Sequence, residues 1–213
     1  MNSFELLSAL RELGYLKESC EKLWWPNSGS FEVVVGAILT QQTKWSNVEI
    51  SLSNLKSRSL LTLHTLANIG EYELSLLIEK SGFKTQKASR LKKLAYNIIK
   101  EFSDFETFKQ NVNREWLLAQ KGIGLESADA ILCYACLKPV MVIDSYTNRL
   151  LSSFGYEFGS YEEMQEWFYD GISGDKVCGL YDNENTLFAR FHGKIVEFCK
   201  DDAKGQKLKA LML

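Results

Sequence analysis

The chain has only two prolines among its 213 residues, so few positions force a helix to break. It has no apolar run approaching the roughly 20 residues of a membrane span, and no basic-then-apolar order at its N-terminus. Internal repeats, low-complexity linkers and shifts in composition are absent, and alternating, strand-like runs are few. These absences exclude spanning and repeat architectures and predict a soluble, cytoplasmic, all-α protein. Cysteine is scarce and odd in number: Cys20, Cys133, Cys136, Cys178 and Cys199. Without a secretion signal, that count predicts free thiols in a reducing compartment. Cys133 and Cys136 have CxxC spacing, but in an apolar stretch where small buried cysteines are ordinary helix packing.

What is present is helical periodicity. The hydrophobic share is 46%, and the length suffices for one large domain or two small lobes with a sizeable core. Leu6, Leu7, Leu10 and Leu13 recur at helical spacing, as do Ala88, Leu91, Leu94, Ala95, Ile98 and Ile99. Helices are predicted near 3–17, 30–42, 45–56, 59–68, 71–81, 85–102, 104–120, 125–136, 145–154, 160–171 and 184–203, with Gly29, Gly70, Gly82, Gly122 and Gly155 as stops. The net charge of −2 hides an uneven distribution. Lys84, Lys87, Arg90, Lys92, Lys93 and Lys100 form one basic stretch, and Lys194, Lys200, Lys204, Lys207 and Lys209 another. Glu157, Glu162, Glu163, Glu166 and Asp170 lie between them. Each basic run reads either as a solvated helix face or as a phosphate-tracking face, and the segment between them favours the second.

That segment runs from Leu117 to Leu150. Gly122 and Gly124 flank Ile123 in a tight turn between two helices, and both are expected to adopt backbone angles closed to other residues. The next helix opens there, and its first N–H groups lack intrahelical acceptors, so the turn can seat a phosphate. A Gly-x-Gly by itself reads equally as a connector between packed helices. Asp144 follows Gly124 by 20 residues, beyond the apolar run 139–143. As an N-cap before Ser-Tyr-Thr-Asn-Arg it has a purely structural reading, yet a carboxylate held against helix-end amides also stays ionised and oriented. The two roles are compatible.

Lys121-Gly122-Ile123-Gly124 with Ala128, followed by Val142-Ile143-Asp144, resembles the signature of the helix-hairpin-helix DNA glycosylases, the endonuclease III superfamily. Ile38 to Thr43, Gly82-Phe83 with Lys87-Ala88 to Leu91, and Phe191-His192-Gly193 to Val196 resemble further segments of that family in the same order. The similarity spans roughly residues 30–200. It implies an all-α, two-lobed fold, with residues 30–135 as a central lobe carrying the hairpin and residues 1–29 plus 136–213 as a second lobe carrying Asp144. The active site is expected in a cleft between them.

The resemblance implies a function and assigns roles. The partner is double-stranded DNA with an alkylated base, and the damaged nucleotide is flipped out of the stack for excision. Asp144 is the catalytic residue. Gln41 and Gln42 are the wedge that fills the gap, Gln42 foremost, although a polar helix-end residue is the alternative. Lys87, Lys121, Gly122, Ile123, Gly124 and Ser127 contact the DNA backbone, and the carbonyls of Gln120 and Ile123 are a seat for Na⁺ or K⁺. Trp24, Trp25, Pro26, Trp45 and Glu126 line the base pocket. Tryptophans are commonly core, but Trp24 and Trp25 cannot both face one helix interior, and an aromatic wall suits a cationic base such as 3-methyladenine.

Where bifunctional members carry a Schiff-base lysine, this chain has Glu126, so it is expected to excise the base without nicking the strand. A methylated purine is already a good leaving group, so neither His64 nor His192 is required. Many members of the superfamily hold a [4Fe–4S] cluster on four closely spaced cysteines near the C-terminus. Cys178 and Cys199 cannot supply such a set, so no cluster and no other cofactor is expected, and the tail after Asp201 must be secured otherwise. These features most resemble the bacterial 3-methyladenine branch. The alternatives are a monofunctional uracil or mismatch glycosylase and a non-catalytic DNA-binding module. A monomer in the bacterial nucleoid, handing its abasic product to an endonuclease, completes the expectation.

Overall fold

The computed structural model describes residues 1–16, 21–172, 180–202 and 206–207. Cys20, Cys178, Lys204 and Lys209, which the sequence reading singles out, lie outside the described residues. The described residues are 68% helical, with no strand among them. No helix among them is long and apolar enough to cross a membrane. Two compact units form, one from residues 27–137 and one from residues 1–26 together with 138–213.

In the central unit the helices are α2 (Phe31–Thr40), α3 (Trp45–Ser57), α4 (Leu63–Asn68), α5 (Glu71–Leu77), α6 (Lys84–Phe102), α7 (Phe105–Asn111), α8 (Arg114–Leu118) and α9 (Leu125–Ala130). Helix α2 is buried along nearly its whole length because its sequence, Phe-Glu-Val-Val-Val-Gly-Ala-Ile-Leu-Thr, is apolar all round. Around it pack α3, α6 and the π-helical turn Ile131–Ala135 that continues α9. Helix α6 buries Ala88, Leu91, Leu94, Ala95 and Ile98 on the stripe that the 3.6-residue period predicts.

Several boundaries differ from the sequence reading for local reasons. The single helix expected over 104–120 is two, because Asn113 leaves helical geometry and caps α8, accepting a bond from the Trp116 N–H at 2.8 Å. Gly70 is not a helix stop. It is the N-cap of α5, at φ −62°, and its carbonyl accepts the Leu74 N–H at 2.9 Å.

The terminal unit contains α1 (Ser3–Glu12), α10 (Ser145–Ser153), α11 (Tyr161–Gly171) and α12 (Glu184–Asp201). Helix α1 starts at a capping box of Asn2 and Glu5 and ends well before residue 17, because Gly14 turns into the left-handed region at φ +80°. Leu6, Leu7 and Leu10 join Met141, Ile143, Leu151, Phe168, Phe191 and Phe198 in one core. The extended run before Asp144 is tied to α11: the Met141 and Ile143 N–H groups donate to the Tyr169 and Tyr161 hydroxyls, and Gln165 donates to the Met141 carbonyl at 2.7 Å.

Candidate functional site

The hairpin between α8 and α9 is stapled from behind. Arg114 Nε and Nη2 reach the two oxygens of Asp129 at 2.9 and 3.1 Å, and Asp129 is fully buried between Ala128 and Ala130 on α9. Such a two-pronged pair fixes geometry as well as charge. Within the turn, Ile123 N–H donates to the Gln120 carbonyl at 3.1 Å and the Ile123 side chain is buried. Gly122 has φ +85°, which an L side chain adopts only under strain. A Cβ there would also meet Arg90 Nε at 2.2 Å. Gly124 does not share this constraint. Its φ is −98°, open to any residue, and a Cβ would meet nothing within 4 Å, so the expectation that both glycines need special angles holds for Gly122 alone.

A concavity of about 500 Å³ opens beside the hairpin, lined by Gln42, Phe83, Arg90, Gly122, Glu126 and their neighbours. The turn after α2 forms one side of it. Gln42 is exposed at φ +52°, and Phe83, 59% exposed, is also left-handed at φ +44°. Bulky residues held in that region mark imposed geometry.

Gln41 points elsewhere than the wedge reading requires. Its Nε2 donates to the Gly122 carbonyl at 2.9 Å and to Ser127 Oγ at 3.0 Å, while its Oε1 accepts from Arg90 Nη1 at 2.9 Å. Gln41 is therefore an internal strut, and the hydroxyl of buried Ser127 faces that strut rather than a phosphate.

Lys87 is likewise not a backbone contact for DNA. It is 1% exposed, and its ammonium donates to the carbonyls of Leu39, Gln41 and Ser81 and to Thr43 Oγ1 at 2.7–2.9 Å. Burial pulls its pKa down to about 8, with Arg90 acting in the same direction, so it remains charged at neutral pH. The basic stretch is thus partly internal: Lys92 donates to the Ile69 carbonyl, whereas Lys93, Lys100 and Lys121 are exposed. In the second basic run Lys194 is buried against the Tyr15 carbonyl, and Lys200 and Lys207 pair with Glu197 and Asp201. Trp45 opens α3, half-buried, and Glu126 is exposed.

In the terminal unit Asp144 is the N-cap of α10. Its Oδ1 accepts from the Thr147 N–H at 2.8 Å and from the Thr147 hydroxyl at 2.9 Å. Its Oδ2 lies 3.4 Å from His192 Nε2, and the carboxyl side chain is 13% exposed. Burial alone would raise its pKa, but His192 and then Thr147 outweigh that and hold it below the ordinary carboxylate range. The sequence reading set His192 aside. The structure places it against Asp144, and its position on α12, whose i and i+3 partners are core, gave no separate signal.

His192 also meets Trp24 edge-on, with ring centroids 5.4 Å apart. Trp24 and Trp25 are not on a helix: Trp24 turns at φ +73° and the two rings cross at 89°. Trp24 is half-buried, Trp25 is buried and Pro26 is exposed. Trp24 Nε1 donates to Glu197 at 3.0 Å, and its ring fills the space above Gly193, where a Cβ would come within 2.5 Å of its Cγ. The structure therefore brings Trp24 and Asp144 against His192 in the terminal unit, with Trp25 beside Trp24. Trp45, Gln42, Glu126 and the hairpin belong to the central unit. Cys133, Cys136 and Cys199 are buried, and burial pushes the Cys133 thiol well above its ordinary range. Among the described residues no three His, Cys, Asp or Glu side chains are grouped to hold a metal ion.

Residues 35–168 match the family described as HhH-GPD superfamily base excision DNA repair protein. The chain belongs to that superfamily. As an HhH-GPD protein it is 35% identical, over 206 residues, to a protein of Methanocaldococcus jannaschii whose name places it among DNA repair glycosylases. The match covers 93% of this chain and 89% of that one. The crystal structure of Helicobacter pylori 3-methyladenine DNA glycosylase, bound to 1,N6-ethenoadenine, superposes at a TM-score of 0.89 with 46% identity. It covers 94% of this chain and 98% of that one. An endonuclease III–DNA complex, 18% identical, shares the fold at a TM-score of 0.74, covering 97% and 89%. This member of the superfamily is a DNA glycosylase, and its partner is DNA.

Proposed function

We propose that the chain is a monofunctional glycosylase that extrudes alkylated bases from duplex DNA, 3-methyladenine foremost, and removes them by hydrolysis. The observation that carries this is Asp144: one oxygen is fixed by a helix end, the other faces His192, and the group is held ionised. An adenine methylated at N3 while still bonded to its sugar is cationic. When its glycosidic bond breaks, the electron pair leaves with the base, which departs neutral, and positive charge develops on the sugar. A preorganised carboxylate stabilises that charge. Water then adds to C1′, its proton passing to the carboxylate or to solvent, and an abasic site remains.

The hairpin amides and exposed Lys93, Lys100 and Lys121 would hold phosphates, with Gln42 filling the gap left by the flipped base. Half-buried Trp24, in the same unit as Asp144, would supply aromatic surface for a cationic ring, and the similarity to a 3-methyladenine glycosylase supports that choice of lesion. Glu126 stands where a Schiff base would need an amine. The Gln120 carbonyl accepts one bond, from the Ile123 N–H, and with its remaining lone pair and the Ile123 carbonyl would hold a Na⁺ or K⁺ ion, whose charge would help hold a phosphate. No iron–sulfur cluster is part of the proposal, and the purified protein should be colourless. The enzyme would act as a monomer in the cytoplasm and pass its product to an abasic-site endonuclease.

One experiment tests the reading. Duplexes carrying 3-methyladenine, uracil or no lesion are incubated with the protein, with and without borohydride, and then treated with alkali. Alkali-dependent cleavage of the methylated duplex alone, with no trapped adduct, is the expected result. Cleavage at uracil would replace the lesion assignment, a trapped adduct would overturn monofunctionality, and no cleavage anywhere would leave a binding module.

A further inference from the structure

The turn that carries Gln42 and the hairpin that seats phosphate are separate in sequence, yet one side chain joins them. Gln41 spends its amide nitrogen on two hairpin acceptors, Gly122 O and Ser127 Oγ, and its amide oxygen on Arg90, which itself lies over Gly122. Its backbone is held as well: the Gln41 carbonyl accepts from Lys87 at 2.8 Å and from the Thr43 hydroxyl at 3.1 Å. Gln42 is thereby fixed on both sides, and it alone of that turn projects, exposed and left-handed.

We propose that Gln41 is a positioning residue that clasps the wedge turn to the hairpin, so that seating a phosphate and presenting Gln42 to the base stack are one rigid act. This rests on the glycosylase reading given above. The clasp adds no contact to DNA. It removes the freedom of the turn to recoil when a stacked base resists extrusion, and a displacement of about 1 Å in such a positioning element costs on the order of a hundredfold in rate.

Gln41→Leu keeps the bulk of the side chain and deletes every clasp bond. The test uses a duplex holding non-hydrolysable 3-methyl-3-deazaadenine beside 2-aminopurine, whose fluorescence rises when its neighbour leaves the stack. Parallel measurements give affinity for undamaged duplex and single-turnover excision from methylated DNA. The clasp predicts undamaged-duplex binding within about threefold of wild type, since the hairpin keeps its Ile123–Gln120 and Arg114–Asp129 bonds and the exposed lysines remain. It also predicts that the fluorescence rise and the excision rate fall together by about tenfold or more.

If Gln41→Leu does not fold, as judged by circular dichroism, Ser127→Ala carries the test. It removes one of the two hairpin acceptors and should cost about two- to fivefold in flipping with binding unchanged. Flipping at the wild-type level in a folded variant, or an equal loss in binding and flipping, would overturn the clasp. A wild-type protein that neither flips nor excises would instead overturn the glycosylase reading beneath it.

Discussion

The central and terminal units both bury charge around their candidate site residues, and they use it in opposite ways. In the central unit the Lys87 ammonium is spent on backbone carbonyls, Arg114 on Asp129 and Arg90 on Gln41. The product of these bonds is shape: a fixed turn and a fixed hairpin. In the terminal unit Asp144 is bonded on one oxygen by Thr147, while the other oxygen meets His192. The product there is a retained charge. A buried cation whose donors end on carbonyls organises a surface, whereas a buried anion left partly addressed can act on a substrate.

The sharpest test of this contrast is Lys87→Met. Three carbonyls and a hydroxyl lose a charged donor, a loss of roughly 3 kcal/mol even after the relief of lysine desolvation. In a chain of this size that lowers the melting midpoint by about 10 °C. A midpoint within 2 °C of wild type would mean that the lysine does not hold the turn.

Gly193→Ala strikes the terminal unit. Its Cβ must displace both Trp24 and Leu16, at a cost of about 1–3 kcal/mol, and excision should fall while binding to undamaged duplex stays unchanged. Unaltered tryptophan fluorescence and unaltered excision would show that Trp24 has another place to go.

Acid titration separates the units further. Because Asp144 titrates below the ordinary carboxylate range, its contribution to stability is present above about pH 4 and is lost as pH falls through its lower folded value. The acid limb of excision should accordingly lie below about pH 4, as far as the fold permits measurement. His192→Gln removes the largest influence holding the group down, so that limb should move upward; a limb that stays in place would remove His192 from the account.

The hairpin glycines should differ from each other, and Gly124 should give the smallest effect of all. Gly122→Ala meets a positive φ and the Arg90 guanidinium and should cost about 1–3 kcal/mol. Gly124→Ala should alter stability by less than about 0.5 kcal/mol. Any loss of duplex affinity in the Gly124 variant then reports close approach of DNA backbone rather than misfolding, and equal destabilisation by both substitutions would contradict the assignment.

Much of this was legible in the sequence because it depends on neighbours along the chain. The helix stripes of α1 and α6, the hairpin glycines and the Asp144 cap are all set within a turn or two of their own residues. What was missed depends on groups distant in sequence. Nothing local says that Lys87 turns inward, because its three carbonyl partners come from residues 39, 41 and 81. Gln41 looked like Gln42's equal, and only the hairpin 81 and 86 residues away separates a strut from a projecting side chain. His192 was read as dispensable on chemical grounds that concerned leaving groups, whereas its place is set by packing against Asp144 and Trp24. The helix-face argument applied to Trp24 and Trp25 does not decide their directions, because Trp24 is left-handed in a turn and leaves no periodic trace.

The central claim is that the Asp144 charge, not its cap, drives excision. Asp144→Asn preserves the shape and keeps an acceptor for the Thr147 N–H, so the fold and lesion binding should survive. Single-turnover excision from 3-methyladenine duplex by this variant, with binding measured in parallel, tests the claim directly. The account predicts a rate lower by at least about a hundredfold with affinity nearly unchanged. A rate within about threefold of wild type, equivalent to roughly 0.65 kcal/mol in barrier, would contradict it.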